Sequence, residues 1–187
     1  MPTRWPSRFA MEGAMVVRLL TGYIRLEIDL MHCVQASEAV GLDLVLKKMF
    51  GQRGETKRMK TAEKLGVPGY SRLGLKREFD RAIVALEHCL KIRNQYAHWI
   101  WWDDNTGKLA FANLEQLAKR KRRIIDLAKL RAYHIDSALL AEQERYFAYT
   151  DQLLAWVNYE ARKRSGDFQS NPVSKPKRLR KPKLRQA

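Results

Sequence analysis

The sequence predicts an all-α fold, an up-and-down helical bundle with a small β-hairpin inserted near residues 99–112. Three observations carry that prediction. Apolar residues recur at spacings of three and four over most of the chain, which is the stripe of core-facing helices. The period changes at "WIWW" (Trp99–Trp102), which is followed by the turn sequence "DDNTG" and a second short run, "KLAFANL". A hydrophobic content of 45% in 187 residues suffices for one domain with a real core.

Taken in order, residues 1–14 form an Arg-bearing extension that lacks the length and amphipathic pattern of a targeting peptide. From Met15 to Val40, Val16, Leu19, Leu20, Tyr23, Leu26, Leu30 and Val34 make the stripe of a first helix, which Gly41 interrupts. Leu42 to Phe50 offers a short second helix ended by Gly51. The basic stretch "GQRGETKRMK" reads as an exposed loop or frayed helix, and Pro68-Gly69 reads as a turn. A third long helix is expected from about Ser71 to Ala97. Its stripe is Phe79, Ile83, Leu86, Leu90 and Ala97, with Arg93 where another apolar residue belongs. After the hairpin, Asn113 can cap a helix from Leu114 to about Tyr133, whose exposed face is strongly basic. Asp136 or Ser137 can cap the last helix, to which Leu139, Leu140, Tyr146, Phe147, Leu153, Leu154, Val157 and Tyr159 supply core material. The main domain thus spans 15–164. Residues 165–187, with three prolines and little apolar surface, read as a disordered basic tail.

The charge is lopsided: 36 Lys+Arg against 20 Asp+Glu, net +16. Seven basic residues against Asp167 alone give the tail +6 and leave +10 on residues 1–164. Such a balance favours a polyanionic partner through phosphate neutralisation, RNA or DNA before an acidic membrane surface. No apolar run approaches the roughly 18 to 20 residues of a membrane-spanning helix. Cys33 and Cys89 both lie in apolar helical patterns in a chain without a secretory signal, so buried reduced thiols in a cytoplasmic protein are expected rather than a disulfide. The pairs His32-Cys33 and His88-Cys89 lack any CxxC spacing, and adjacent helical residues diverge by about 100°, so no metal site is expected.

One segment stands out: "IRNQYAH", Ile92 to His98, at the end of the third long helix and just before the tryptophans. Arg-x6-His also occurs at Arg25/His32 and Arg81/His88, but those pairs sit inside apolar helical runs. With its Arg, following polar residue and His after four intervening positions, the segment resembles the signature of the HEPN domains, a family of small helical bundles. The resemblance covers residues 15–164 and rests on about seven of them. It implies a metal-independent endoribonuclease without cofactors, often a homodimer in which two motifs face one another, and often a toxin, with an antitoxin partner, or a defence against phage.

The residue types suit that chemistry. Cleaving RNA without a metal takes a proton acceptor for the 2′-hydroxyl, a proton donor for the leaving 5′-oxygen and cationic donors for the phosphorane; histidine and arginine cover these roles near neutral pH. Arg93 would clamp the phosphate, His98 would move the proton, and Asn94 would orient the phosphate or fix the tautomer of His98. Positions 93 and 98 point about 140° apart on an ideal helix, so the motif requires the helix to end or bulge near Ala97. Lys119, Arg120, Lys121, Arg122 and Arg123 would supply sequence-independent RNA affinity, and Trp101 and Trp102 would stack on unpaired bases.

Three other readings stay open on sequence alone. Arg93 can reach an acid of the first helix, such as Glu27 or Asp29, while His98 binds the last carbonyls of its own helix; the tryptophans can be hairpin packing. The chain can be a non-catalytic RNA-binding or interaction module. It can also be a DNA-binding regulator, because "TAEKLGVPGYSRLGLKREF" has the look of a helix-turn-helix with a lengthened turn.

Overall fold

The computed structural model describes residues 7–38, 40–113, 119 and 133–185. After a single 3₁₀ turn (Ser7–Phe9), the described elements are α1 (Ala10–Glu38), α2 (Leu42–Phe50), α3 (Glu55–Arg72), α4 (Lys76–Ala97), β1 (Trp99–Asp103), β2 (Leu109–Asn113), β3 (Tyr133–Ile135) and α5 (Ser137–Arg164). The fold is the helical bundle with a small β insertion that the apolar spacing predicts. No helix among the described residues is long and apolar enough to cross a membrane.

The chain divides into two compact units, to both of which α1, α4 and α5 contribute. One unit takes in Gly22–Leu90 and Tyr146–Lys181. Its core is organised around Tyr70, fully buried on α3. The Tyr70 ring stacks on Phe79 of α4 at 4.2 Å and 13°, and its hydroxyl donates to the Cys33 carbonyl of α1 at 2.9 Å. Both cysteines are buried and unbridged. The Cys33 thiol lies 3.3 Å from the Leu154 carbonyl and the Cys89 sulfur 3.3 Å from the Thr150 hydroxyl; burial pushes both thiols up to about 12, so neither offers a thiolate.

The turn expected at Pro68-Gly69 is absent, because α3 begins at Glu55 and runs through both residues to Arg72. The stretch "ETKRMK" is accordingly the start of α3 rather than a loop. The glycines serve close packing instead. A Cβ at Gly69 would collide with the Ser37 carbonyl of α1, and one at Gly66 would sit 2.7 Å from the Phe79 ring. The actual turn comes at Leu73–Leu75, where Gly74 takes φ +67°, a left-handed value that suits glycine. The helix break that a helix-turn-helix would need within "AEKLGVPG" therefore does not exist.

Two carboxyl groups of this unit face each other, Asp29 on α1 and Asp151 on α5. Burial first, and then the neighbouring Asp151, push the Asp29 carboxyl up to about 6, with Arg25 pulling the other way. Arg25 itself pairs with Asp151 at 3.5 Å. Glu27, also on α1, accepts a hydrogen bond from Arg58 of α3 at 3.3 Å.

The other unit comprises the chain up to Thr21, Lys91–Arg145 and the tail from Pro182. It carries a three-stranded antiparallel sheet in the order β1-β2-β3. The predicted hairpin pairs Trp99 with Asn113, Trp101 with Phe111 and Asp103 with Leu109. Its turn is fixed by side chains: Asp103 accepts the Asn105 N–H at 2.8 Å, and Asp104 accepts the Thr106 N–H and hydroxyl at 3.2 and 2.6 Å. The helix expected over Leu114 to about Tyr133 lies outside the described residues except at Lys119 and at its end, where Tyr133 is in β3 and pairs with Phe111. His134 of the same strand bonds Asp104 at 2.7 Å, tying β3 to the hairpin turn.

Two outcomes follow from this packing. Replacing Gly69 by Ala forces α3 away from α1 and is expected to cost about 1 to 3 kcal/mol, read as a lowered urea midpoint. The folded pKa of Asp29 lies above its unfolded value, so the native state binds more protons between about pH 4 and 6. Stability from this group is therefore fullest at low pH and is lost as pH rises through about 6. Asp29→Asn should remove that loss, raising the urea midpoint more at pH 8 than at pH 4.5.

Candidate functional site

Helix α4 stops at Ala97 because the next residues are strand: from Trp99 on, the backbone pairs with β2. His98 thus falls on the turn beyond the helix and is exposed. Inside the helix, the inward face drifts from Phe79, Leu86 and Leu90 to Ile92 and Tyr96, both buried. Arg93 and Asn94 flank that face half-buried, so Arg93 does not occupy the core position that the simple stripe assigns to it.

Arg93 and Asn94 are brought together: Arg93 Nη1 donates to Asn94 Oδ1 at 3.1 Å. The amide oxygen therefore orients the guanidinium rather than the imidazole. His98 makes no hydrogen bond or ion pair among the described residues.

Beneath the motif lies an aromatic cluster. Phe111 is fully buried and is flanked by Trp99 at 4.5 Å, Trp101 at 5.0 Å (stacked at 17°) and Tyr133 at 6.0 Å; Tyr96 lies 5.5 Å from Trp101. Trp101 is thus engaged in packing on one face of the sheet. Trp102 alternates to the other face, where its register partner is Ala110, and is half-buried. Lys119 is exposed, while Arg120, Lys121, Arg122 and Arg123 lie outside the described residues.

The sequence did not single out Gln143 of α5. Fully buried, it accepts a short hydrogen bond from the hydroxyl of Tyr96, inside the motif, and donates through Nε2 to the carbonyls of Lys183 (2.9 Å) and Leu184 (3.2 Å). Burial raises the Tyr96 phenol well above its ordinary pKa, so it remains a proton donor to Gln143. Next along the tail, the Arg185 guanidinium lies 3.7 Å from the centre of the Tyr133 ring. The segment expected to be a disordered tail has no helix or strand after Arg164, yet it carries these contacts and others nearer α5. There, Asn171 donates to the Trp156 carbonyl at 3.1 Å, and Lys175 pairs with Glu78 at 2.9 Å.

Among the described residues no group of three or more His, Cys, Asp or Glu is arranged to hold a metal ion. Asp104 and His134 form the nearest carboxylate and imidazole pair. Partial burial works against the charge of Asp104, but hydrogen bonds from Thr106 and His134 outweigh it and hold the carboxyl below its usual value. That pair closes the hairpin turn.

Gln143→Leu should strand the buried Tyr96 hydroxyl and release the tail. The expected result is a stability loss of about 1 to 3 kcal/mol in urea unfolding, with faster tryptic cleavage after Lys183 and Arg185. No family model, curated protein or solved structure matches this chain.

Proposed function

We propose that the chain is a metal-independent endoribonuclease of the HEPN kind, working in the cytoplasm as a homodimer, as a toxin or in defence against phage, with an antitoxin protein as a candidate partner. The observation that carries this reading is the end of α4: the helix stops one residue before His98, leaving an exposed imidazole beyond a half-buried Arg93 whose guanidinium is oriented by Asn94. A histidine that merely satisfied its own helix would be bonded to the last carbonyls, and His98 makes no such bond among the described residues.

In this reading Arg93 donates to the non-bridging oxygens of the scissile phosphate and stabilises the charge that grows on the phosphorane. The 2′-oxygen attacks phosphorus as its proton leaves, and the 5′-oxygen departs as it gains one, giving a 2′,3′-cyclic phosphate and a 5′-hydroxyl. One imidazole cannot serve as both base and acid in a concerted step. His98 takes one role and the same residue of a second copy takes the other. Asn94 is a positioning residue for Arg93. The net charge of +16 provides the long-range attraction for the strand, with Lys119 and the neighbouring basic residues 120–123 as further phosphate contacts. Trp102, on the sheet face away from the aromatic cluster, is a better base-stacking surface than Trp101.

The test is cleavage of single-stranded RNA in EDTA, with products assigned by mass spectrometry. Arg93→Ala and His98→Ala should each lower the rate by about 10²- to 10⁴-fold with unchanged helical circular dichroism. Undiminished cutting by both variants would overturn the reading.

A further inference from the structure

A cavity of about 560 Å³ opens in the unit built from Gly22–Leu90 and Tyr146–Lys181. Its wall carries four cations: Arg81 from α4, and Arg178, Arg180 and Lys181 from the tail. Tyr146 and Tyr149 of α5 add phenols, and no carboxylate lines it. None of the four forms a close ion pair among the described residues, although the charge of Arg81 reaches Glu78 and helps hold that carboxyl below its usual value. The contrast with Lys175, a few residues upstream, is instructive. It is taken up by Glu78 at 2.9 Å and by the face of Trp156 at 4.5 Å, so the tail fixes itself with one lysine and brings Arg178, Arg180 and Lys181 to the cavity.

Four like charges gathered around one concavity repel each other, and an anion with several acceptor oxygens relieves that repulsion while matching guanidinium forks. Two apolar side chains on the same wall, Val84 and Leu179, are 45% and 41% exposed, so the remainder of a ligand meets an uncharged surface. The volume lies within the usual range of about 300 to 1,000 Å³ for small-molecule sites. A recess of this kind admits a phosphate on a small organic body, whereas a bilayer presents its headgroups on a surface too flat to enter it.

We propose that this cavity binds a nucleoside phosphate, with the phosphate held by Arg81, Arg178, Arg180 and Lys181 and the sugar and base lying along Val84 and Leu179. Tyr146 supports the phosphate as a neutral donor, since burial raises its phenol far above the ordinary value. None of these residues belongs to the Arg93–His98 motif, and the inference does not depend on RNA cleavage. The ligand is either a free mononucleotide or one nucleotide of a single strand.

The experiment titrates the full chain with three probes: AMP, a short 2′-O-methyl oligonucleotide that cannot undergo 2′-hydroxyl attack, and vesicles of mixed phosphatidylcholine and phosphatidylserine. The variants are Arg81→Gln and the double change Arg178→Gln with Arg180→Gln. A control carries Lys57→Gln with Lys60→Gln, which removes the same charge from the exposed face of α3. Both cavity variants should weaken nucleotide or oligonucleotide binding about tenfold or more, while the control changes it less than about threefold. Loss with AMP assigns a free nucleotide, and loss confined to the oligonucleotide assigns a strand. The proposal is overturned if neither AMP nor oligonucleotide binds the wild type, if the control weakens binding as much as the cavity variants, if both cavity variants bind normally, or if the loss appears with vesicles alone. The tail double variant guards against a folding defect in Arg81→Gln, because its two positions are exposed and outside every helix.

Discussion

Pairing of Trp99–Asp103 with Leu109–Asn113 is the constraint on which the motif end of the molecule depends. Once the backbone N–H and carbonyl groups of these residues are committed to a ladder, they cannot continue a helix, and α4 must stop where it does. The pairing is held by side chains rather than by hydrogen bonds alone. Phe111, without solvent exposure, sits among Trp99, Trp101 and Tyr133 of the neighbouring strands and Tyr96 of α4, and cross-strand aromatic contacts each add about 0.2 to 1 kcal/mol relative to a pair of alanines. A residue five places after Arg93 would point away from it on a continuous helix. Beyond the break, the direction of His98 is set by the turn instead.

Much of this organisation is written in the sequence, and the parts that are not share a physical reason. Helical stripes, the break at Gly41 and the hairpin are local features, and each is visible in spacing and turn chemistry. Pro68-Gly69 misleads because the same two residues signal a turn by propensity and permit close contact by lack of bulk; only the carbonyl of Ser37, thirty-two positions away, selects the second use. Strand β3 has three residues and gains its identity from pairing with β2, which no window of sequence contains. Arg93 looked like a break in an apolar stripe because the inward face of α4 rotates toward Ile92 and Tyr96 as the helix passes from one set of neighbours to another. The motif itself was legible through its company of residue types. Gln143 was not, although one cue existed: it lies four residues after Leu139 and among Leu140, Tyr146 and Phe147, a polar side chain at a position where the last helix buries everything else.

Among the described residues many of the acidic side chains are engaged in internal pairs, and this leaves a basic excess. Arg18 meets Glu144, Arg72 meets Glu38, Lys76 meets Asp80 and Arg164 meets Glu160. Exposed pairs of this kind contribute little to stability, so their arrangement matters more for which charges remain over. What remains is positive, and it is distributed between helices and tail. Binding driven by such a surface weakens steeply with salt, because its free energy comes from displaced counterions.

Gln143 gives position 143 a chemical requirement that few residues meet. The side chain, itself closed to solvent, accepts one hydrogen bond from a buried phenol and gives two to part-buried carbonyls of the tail. A glutamate there keeps the acceptor but has no hydrogen for the carbonyls of Lys183 and Leu184, and it adds an unmatched charge. Asparagine has the right groups on a stem one methylene too short, and a lysine or methionine reverses or removes the acceptor. Exchanges that surface positions of α5 absorb freely are therefore closed at this one, and sequence drift along the helix should leave an island of constancy there.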